Sequence, residues 1–306
     1  MSYIPIFLSS DNNYAPYIAT AIASICDNTK SFCNFYILDG GISKENKSCI
    51  NSLKKFFKNF SIEYITINLE KEFNSIEYKN VGNYISLSTY NRFLIPKLKP
   101  QLKKVLYLDV DIVVLGDIQE LYNEDLEGYA LGAVWEQTRK YYNSDTKELM
   151  GLSENYKYFN AGILVIDVQK WLDNNILKEL FYIEKIYREN VLHADETLLN
   201  KYFDNNYKIL PIKYNYTDYD TIVAPIKDIV IRHFATSIKP WQINPNTVEL
   251  LCPNLQDFWH YAMMTPFYNC LLQKCQDENS QKQINRKLQL QKVILKSFIP
   301  KVKELC

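Results

Sequence analysis

Hydrophobic residues in the first half of the chain come in short continuous runs, and the stretches between them carry apolar residues at helical spacing. Ile4 to Leu8 has the length of a buried strand, and Pro16 to Cys26 puts Ile18, Ala21, Ile22 and Ile25 on one helical face. Phe35 to Leu38 predicts a second strand, Ser43 opens a helix running to about Lys58, and Ile62 to Ile67 predicts a third strand. A helix near Ser88 to Leu94 precedes a strand that ends at Asp109. Further on, Tyr158 to Asp167 reads as a strand, Asn175 to Arg188 as a helix and Asp228 to Phe234 as a strand. This alternation predicts an α/β fold: a mainly parallel central sheet flanked by helices on both faces.

The strand ending at Asp109 carries the sharpest chemical signal. In Tyr107-Leu108-Asp109-Val110-Asp111 two carboxylates stand one residue apart between apolar runs. Both side chains point the same way if the strand continues, and both still reach one point beyond its end if it bends. Paired carboxylates in an apolar setting repel unless a cation lies between them. A divalent metal carrying a diphosphate suits their hard oxygens. A bare Asp-x-Asp is also a common turn pair, so the reading depends on its partners. The rival is a dinucleotide-binding fold, which needs a Gly-rich turn after the first strand. Here that position reads Ser9-Ser10-Asp11-Asn12-Asn13-Tyr14, and no phosphate-binding Gly-rich loop occurs anywhere in the chain. Phosphates must therefore be met by metal and side chains.

Composition narrows the classes. The chain has 306 residues, of which 47% are hydrophobic, ample for a core, and its formal net charge of zero gives no global pull toward nucleic acid. Its seven cysteines are scattered, with no C-x-x-C pair, which predicts reduced thiols rather than a disulfide framework or zinc site. No basic leader precedes the first strand and no stretch approaches the length of a membrane span, so a cytoplasmic protein is expected.

The charge is unevenly placed. From Asn279 to Cys306, seven Lys and Arg residues face a single acid, Glu304, so the preceding residues carry the balancing negative excess. The segment 280–303 reads as an amphipathic helix, with Ile284, Leu288, Ile294, Leu295, Phe298 and Ile299 on one side and Lys282, Arg286, Lys292 and Lys296 on the other. Such a helix suits an anionic membrane surface. The plainer alternative is a terminal helix packed on the domain with its charges solvated.

Six motifs occur in order: Ser-Ser-Asp-Asn-Asn-Tyr from Ser9, Ser-Thr-Tyr-Asn-Arg-Phe from Ser88, Tyr-Leu-Asp-Val-Asp from Tyr107, Phe-Asn-Ala-Gly-Ile-Leu from Phe159, Asp-Glu-Thr-Leu-Leu-Asn from Asp195, and His-Phe-Ala-Thr-Ser-Ile-Lys-Pro-Trp from His233. With them the sequence, from about Ile4 to Trp241, resembles the family 8 glycosyltransferases, retaining sugar-nucleotide-dependent enzymes of GT-A (Rossmann-like) fold. Within the family it is most similar to bacterial lipo-oligosaccharide and lipopolysaccharide galactosyl- and glucosyltransferases. A catalytic domain over 1–250 and a helical C-terminal region over 251–306 are expected.

The resemblance also implies roles. Asp109 and Asp111, with Val110 between them, would be the metal-binding triplet and His233 the third ligand, to Mn²⁺ with Mg²⁺ as the alternative. Asp11 would accept from the uracil ring, with Ser9 and Asn13 lining base and ribose. Lys239 would meet the β-phosphate, and Arg92 the donor sugar and diphosphate. Asn160 and Ala161 would lie beside the donor sugar, and Asp195 would hold its hydroxyls. Three departures stand out: Glu196 follows Asp195 where the family commonly has Gln, Thr236 replaces a Gly of the His-to-Lys loop, and Gln242 replaces a His after Lys-Pro-Trp. Each matched residue taken alone reads better as an ordinary turn, surface or core residue; the ordered set carries the functional reading.

The expectation is thus a retaining hexosyltransferase that moves galactose or glucose from a UDP-sugar to a saccharide or lipid-linked saccharide, peripheral on the inner face of the cytoplasmic membrane. Front-face attack is the expected route. Glu196 makes a covalent sugar intermediate on Asp195 or Glu196 the alternative. A glycogenin-like self-glucosylating protein and a non-catalytic sugar-nucleotide binder share the same motifs.

Overall fold

The computed structural model describes residues 3–68, 72, 87–137, 145–191, 193–223, 225–246, 252, 254–277, 281–286 and 288–289. The first strand, β1 (Tyr3–Ser10), lies inside the main sheet, where Ile4, Ile6, Phe7 and Leu8 are fully buried. It pairs in parallel with β2 (Phe32–Asp39) on one side and β4 (Lys104–Leu108) on the other, and β2 pairs in parallel with β3 (Phe60–Thr66). On the far side of β4 comes β7 (Phe159–Asp167), then β6 (Leu131–Trp135) and β8 (Lys208–Leu210). The sheet is mainly parallel, as expected, but β7 runs antiparallel to both its neighbours.

Helices follow the predicted pattern with local differences. Pro16 sits in the first turn of the Ala15–Asn28 helix, where its missing N–H costs nothing. The helix opened by Ser43 is shorter than expected. It spans Lys44–Asn51, and the Ser52 hydroxyl donates to the Cys49 carbonyl (2.7 Å) as the chain tightens into a 3₁₀ turn over Ser52–Lys55. Leu87–Leu94 is likewise 3₁₀ rather than α-helical, and continues into a short helix over Ile95–Leu98.

A small second sheet positions the chemistry. It consists of β5 (Ile112–Val114), β10 (Ile231–His233) and β9 (Tyr216–Thr217), with β10 in the middle. The strand expected from Asp228 to Phe234 is thus confined to three residues. The main-sheet strand β4 ends at Leu108; Asp109-Val110-Asp111 form a bend, and the chain re-emerges as β5 of the second sheet. The two carboxylates therefore lie at the junction of two sheets rather than along one strand.

The helices Leu255–Ala262 and Tyr268–Gln276 pack into the same core as the main sheet. The Tyr17 ring stacks on Trp241 with centroids 3.7 Å apart, and Phe258 packs against Trp241. Of the basic segment 280–303, only residues 281–286 and 288–289 are described. They are helical, and Ile284 and Leu288 are buried in that core. Among the described residues no helix is long and apolar enough to cross a membrane.

Candidate active site

The site gathers at the carboxyl ends of β1 and β4, where open α/β sheets bind ligands. Asp109 follows β4 and donates its backbone N–H to the Gly162 carbonyl of β7 (2.7 Å). Asp111 leads into β5, and its carbonyl accepts from Phe234 N (2.9 Å), which sets His233 at the end of β10 opposite Ile112. One ligand atom from each of Asp109, Asp111 and His233 lies within 4.8 Å of the others. His233 Nε2 is 3.3 Å from Asp111 Oδ1 and 3.9 Å from Asp109 Oδ2. Two carboxylates and an imidazole converging on one point are a donor set that fits a divalent transition metal.

Cations surround these carboxylates. Lys239 Nζ donates to Asp111 Oδ2 (2.7 Å) and to the Phe234 carbonyl (2.6 Å). Burial alone would raise the Asp111 carboxyl, but Lys239 and His233 outweigh it and hold the group well below the usual carboxylate range. The imidazole answers in kind: burial would lower His233, yet Asp111 and Asp109 raise it. On the other side Arg92, 5% exposed, donates through Nη2 to Asp109 Oδ1 (3.1 Å) and through Nη1 to the Ala161 carbonyl. Its guanidinium lies over the Tyr107 ring at 4.3 Å, and the Tyr107 hydroxyl donates to Asp109 Oδ1 (2.7 Å).

Arg92 also reaches the Ala194–Phe203 helix. Its Nε lies 2.9 Å from Asp195 Oδ2, but that N–H donates to the Thr89 carbonyl (3.1 Å), so Asp195 Oδ2 has an ionic neighbour and, among the described residues, no hydrogen-bond donor. Burial, only partly offset by Arg92 and reinforced by Asp109 and Glu196, pushes the Asp195 carboxyl up to about 7. The helix is locked to β7 by Asn200, whose side chain accepts from Phe159 N and donates to Phe159 O (both 2.8 Å). One turn earlier, Glu196 Oε2 accepts from Asn160 Nδ2 and Ala161 N (both 3.0 Å).

The residues at the end of β1 form an adjoining wall. Asp11 Oδ1 caps a 3₁₀ turn, accepting from Asn13 N (2.8 Å) and Tyr14 N (3.1 Å), while Asn13 is exposed. Ser9 Oγ accepts from Asn91 (3.2 Å), the neighbour of Arg92. Tyr14 joins the two parts, lying within electrostatic reach of Lys239, Asp111 and Asp11. Thr236 is buried, and its hydroxyl is turned away to the Ile238 carbonyl (2.7 Å). Val110 is buried in the core. Gln242, at the third departure, accepts from Lys239 N through its side chain (2.9 Å) and so braces the loop carrying the lysine.

Two participants were not singled out from sequence. Gly162 lies directly beneath the cluster: a Cβ there would stand 2.3 Å from His233 Cε1 and 2.9 Å from Asp109 Oδ2. Asn215, between the second-sheet strands and the 3₁₀ turn at Ile212–Tyr214, contacts His233 Nδ1. The Gly of Phe-Asn-Ala-Gly was visible as a small residue; nothing in the sequence pointed to Asn215.

Comparison with known proteins agrees with this architecture. Residues 5–244 match the profile of glycosyl transferase family 8. A Haemophilus influenzae protein provisionally named a glycosyltransferase is 34% identical over 243 residues, covering 77% of this chain and 72% of its own length. A lipopolysaccharide 1,2-glucosyltransferase of Escherichia coli is 28% identical over 248 residues, covering 76% and 71%. The crystal structure of the galactosyltransferase LgtC with donor and acceptor sugar analogs superposes with a TM-score of 0.75 at 24% identity, covering 86% of this chain and 96% of that one.

Proposed function

The chain belongs to glycosyl transferase family 8, and from that premise we propose that it transfers galactose or glucose from a UDP-sugar to a saccharide acceptor, with retention at the anomeric carbon. The observation that carries this reading is the convergence of Asp109, Asp111 and His233 beside Lys239 and Arg92. Asp109, Asp111 and His233 would hold the metal, Mn²⁺ by preference because an imidazole joins two carboxylates. When bound, it supplies Lewis-acid stabilisation of charge on the leaving diphosphate.

The protein's own groups divide the remaining work. Lys239 would turn from Asp111 to the β-phosphate. Asp11, Ser9 and Asn13 would receive the nucleoside, and Asp195 the sugar hydroxyls. In front-face attack the sugar–phosphate bond breaks as the acceptor oxygen bonds to the same face of the anomeric carbon, and the acceptor proton passes to the departing phosphate oxygen. Glu196 supports that route over a covalent one, since Oε2 is engaged by Asn160 and Ala161 as a brace for the pocket wall. The glycan relatives favour a lipid-linked surface saccharide as acceptor, with the C-terminal basic segment meeting anionic lipid at the cytoplasmic face.

Asp109→Ala, Asp111→Ala and His233→Ala should each lower UDP-hexose turnover by at least about 100-fold while far-UV circular dichroism stays unchanged. Full turnover in excess chelator would sink the metal reading.

A further inference from the structure

The far nitrogen of His233 enters a chain of side-chain amides. His233 Nδ1 and Asn215 Oδ1 are 2.8 Å apart; Asn215 Nδ2 donates to Asn160 Oδ1 (2.9 Å); Asn160 Nδ2 donates to Glu196 Oε2 (3.0 Å). His233 and Asn215 are 2% and 3% exposed, so water does not substitute for these bonds.

The direction of every bond is dictated from the backbone. Ala161 N donates to Glu196 Oε2, and Gly162 N donates to Asn160 Oδ1 (both 3.0 Å). A backbone N–H cannot reverse, so each oxygen it meets is fixed as an acceptor. Asn160 must therefore turn its NH₂ to Glu196 and its oxygen toward Asn215. Asn215 must answer with its NH₂, which leaves its oxygen facing His233. That oxygen only accepts, so His233 Nδ1 must carry a hydrogen. The lone pair of the neutral ring is then on Nε2, which faces Asp109 and Asp111.

We propose that Asn215 is a positioning residue that holds His233 in its Nδ1–H tautomer, with the polarity set by the Ala161 and Gly162 N–H groups through Glu196 and Asn160. The proposal rests on the metal reading of the Asp109, Asp111 and His233 cluster and extends it to the tautomer that such a site requires. Histidines that ligate metals generally donate their other ring N–H to a fixed acceptor, and losing that acceptor typically costs about 10- to 100-fold in metal affinity. Here the same chain ties the ligand to the helix bearing Asp195, so ligand orientation and sugar pocket share one rigid frame.

The test is the imidazole tautomer in metal-free, ¹⁵N-histidine-labelled protein at alkaline pH, read from long-range ¹⁵N–¹H correlations, together with Mn²⁺ binding in the presence of UDP by titration calorimetry. Wild type should show a protonated Nδ1 and a bare Nε2. Asn215→Asp, which can still accept from Nδ1–H, should keep that pattern. Asn215→Leu, of similar size but without an acceptor, should move the proton toward Nε2, where Asp111 is the remaining partner, and weaken Mn²⁺ binding about 10- to 100-fold. An Nε2–H ring in wild type overturns the proposal even if the Leu variant does not fold. So does an unchanged tautomer in a folded Leu variant. If wild type takes up no Mn²⁺, the metal reading fails, while the tautomer spectra still decide the relay.

Discussion

Gly162 has the least latitude of any residue at the site. An added methyl would meet the His233 ring at 2.3 Å and Asp109 at 2.9 Å, and β7 cannot retreat because Gly162 O holds Asp109 N. Gly162→Ala should therefore displace the imidazole and cost about 10- to 100-fold in turnover, with thermal stability reporting an intact sheet; near-normal turnover would remove His233 from the chemistry. A different residue governs pH response. Asp218 is 1% exposed with no hydrogen-bond partner at either oxygen among the described residues, and burial pushes it up to about 7, as it does Asp195. The folded state keeps these two protons above about pH 4, where the unfolded chain releases them, so both groups favour folding at low pH and lose that contribution as pH rises toward about 7. His233, raised above 6.5, also contributes below that value and loses it as pH climbs through its folded value. All three act in one direction: the metal-free Tm should fall between about pH 5 and pH 8, and Asp218→Asn should flatten the slope. A variant whose Tm varies with pH as wild type does would contradict the assignment to Asp218.

At the scale of elements, the bend between β4 and β5 explains both what was legible in the sequence and what was not. The apolar run before Asp109 marked a strand and left open whether it continues or bends there, but did not show that the run after Asp111 is a strand of a different sheet. His233 was legible only through the resemblance carried by the ordered motifs, since a lone histidine at a strand end is more often a structural residue. Asn215 stayed hidden because its role arises from a contact across 18 positions of chain, with no local pattern to announce it. The reason for Gly162 was hidden likewise, for it depends on β7 lying beside β4. The apolar stripe at the C-terminus was read as one face, yet its first part is already used: Ile284 and Leu288 are buried against the core. Any membrane contact must come from the part that follows. Truncation after residue 290 should abolish co-sedimentation with anionic vesicles at low salt and leave donor hydrolysis nearly unchanged. Full-length protein that ignores such vesicles would make the whole segment a structural helix.

Across the whole molecule, alternating strands and helices were enough to predict the α/β class, because buried parallel strands read as continuous apolar runs whatever their neighbours. The antiparallel placement of β7 was not readable, since it follows from chain topology rather than from any residue in the strand. That placement brings Asn160, Ala161 and Gly162 beneath the Asp109, Asp111 and His233 cluster and lets the main sheet, the second sheet and the Ala194–Phe203 helix converge on one point. Such convergence suits the proposed transfer, in which nucleoside, diphosphate and sugar are held at once. The most direct test is proton NMR of the sugar released when purified protein is incubated with UDP-glucose or UDP-galactose, with Mn²⁺ or with chelator. The account predicts that the α-anomer appears first, before mutarotation, and only in the presence of metal. Release of the β-anomer first, or equal release in chelator, would contradict it.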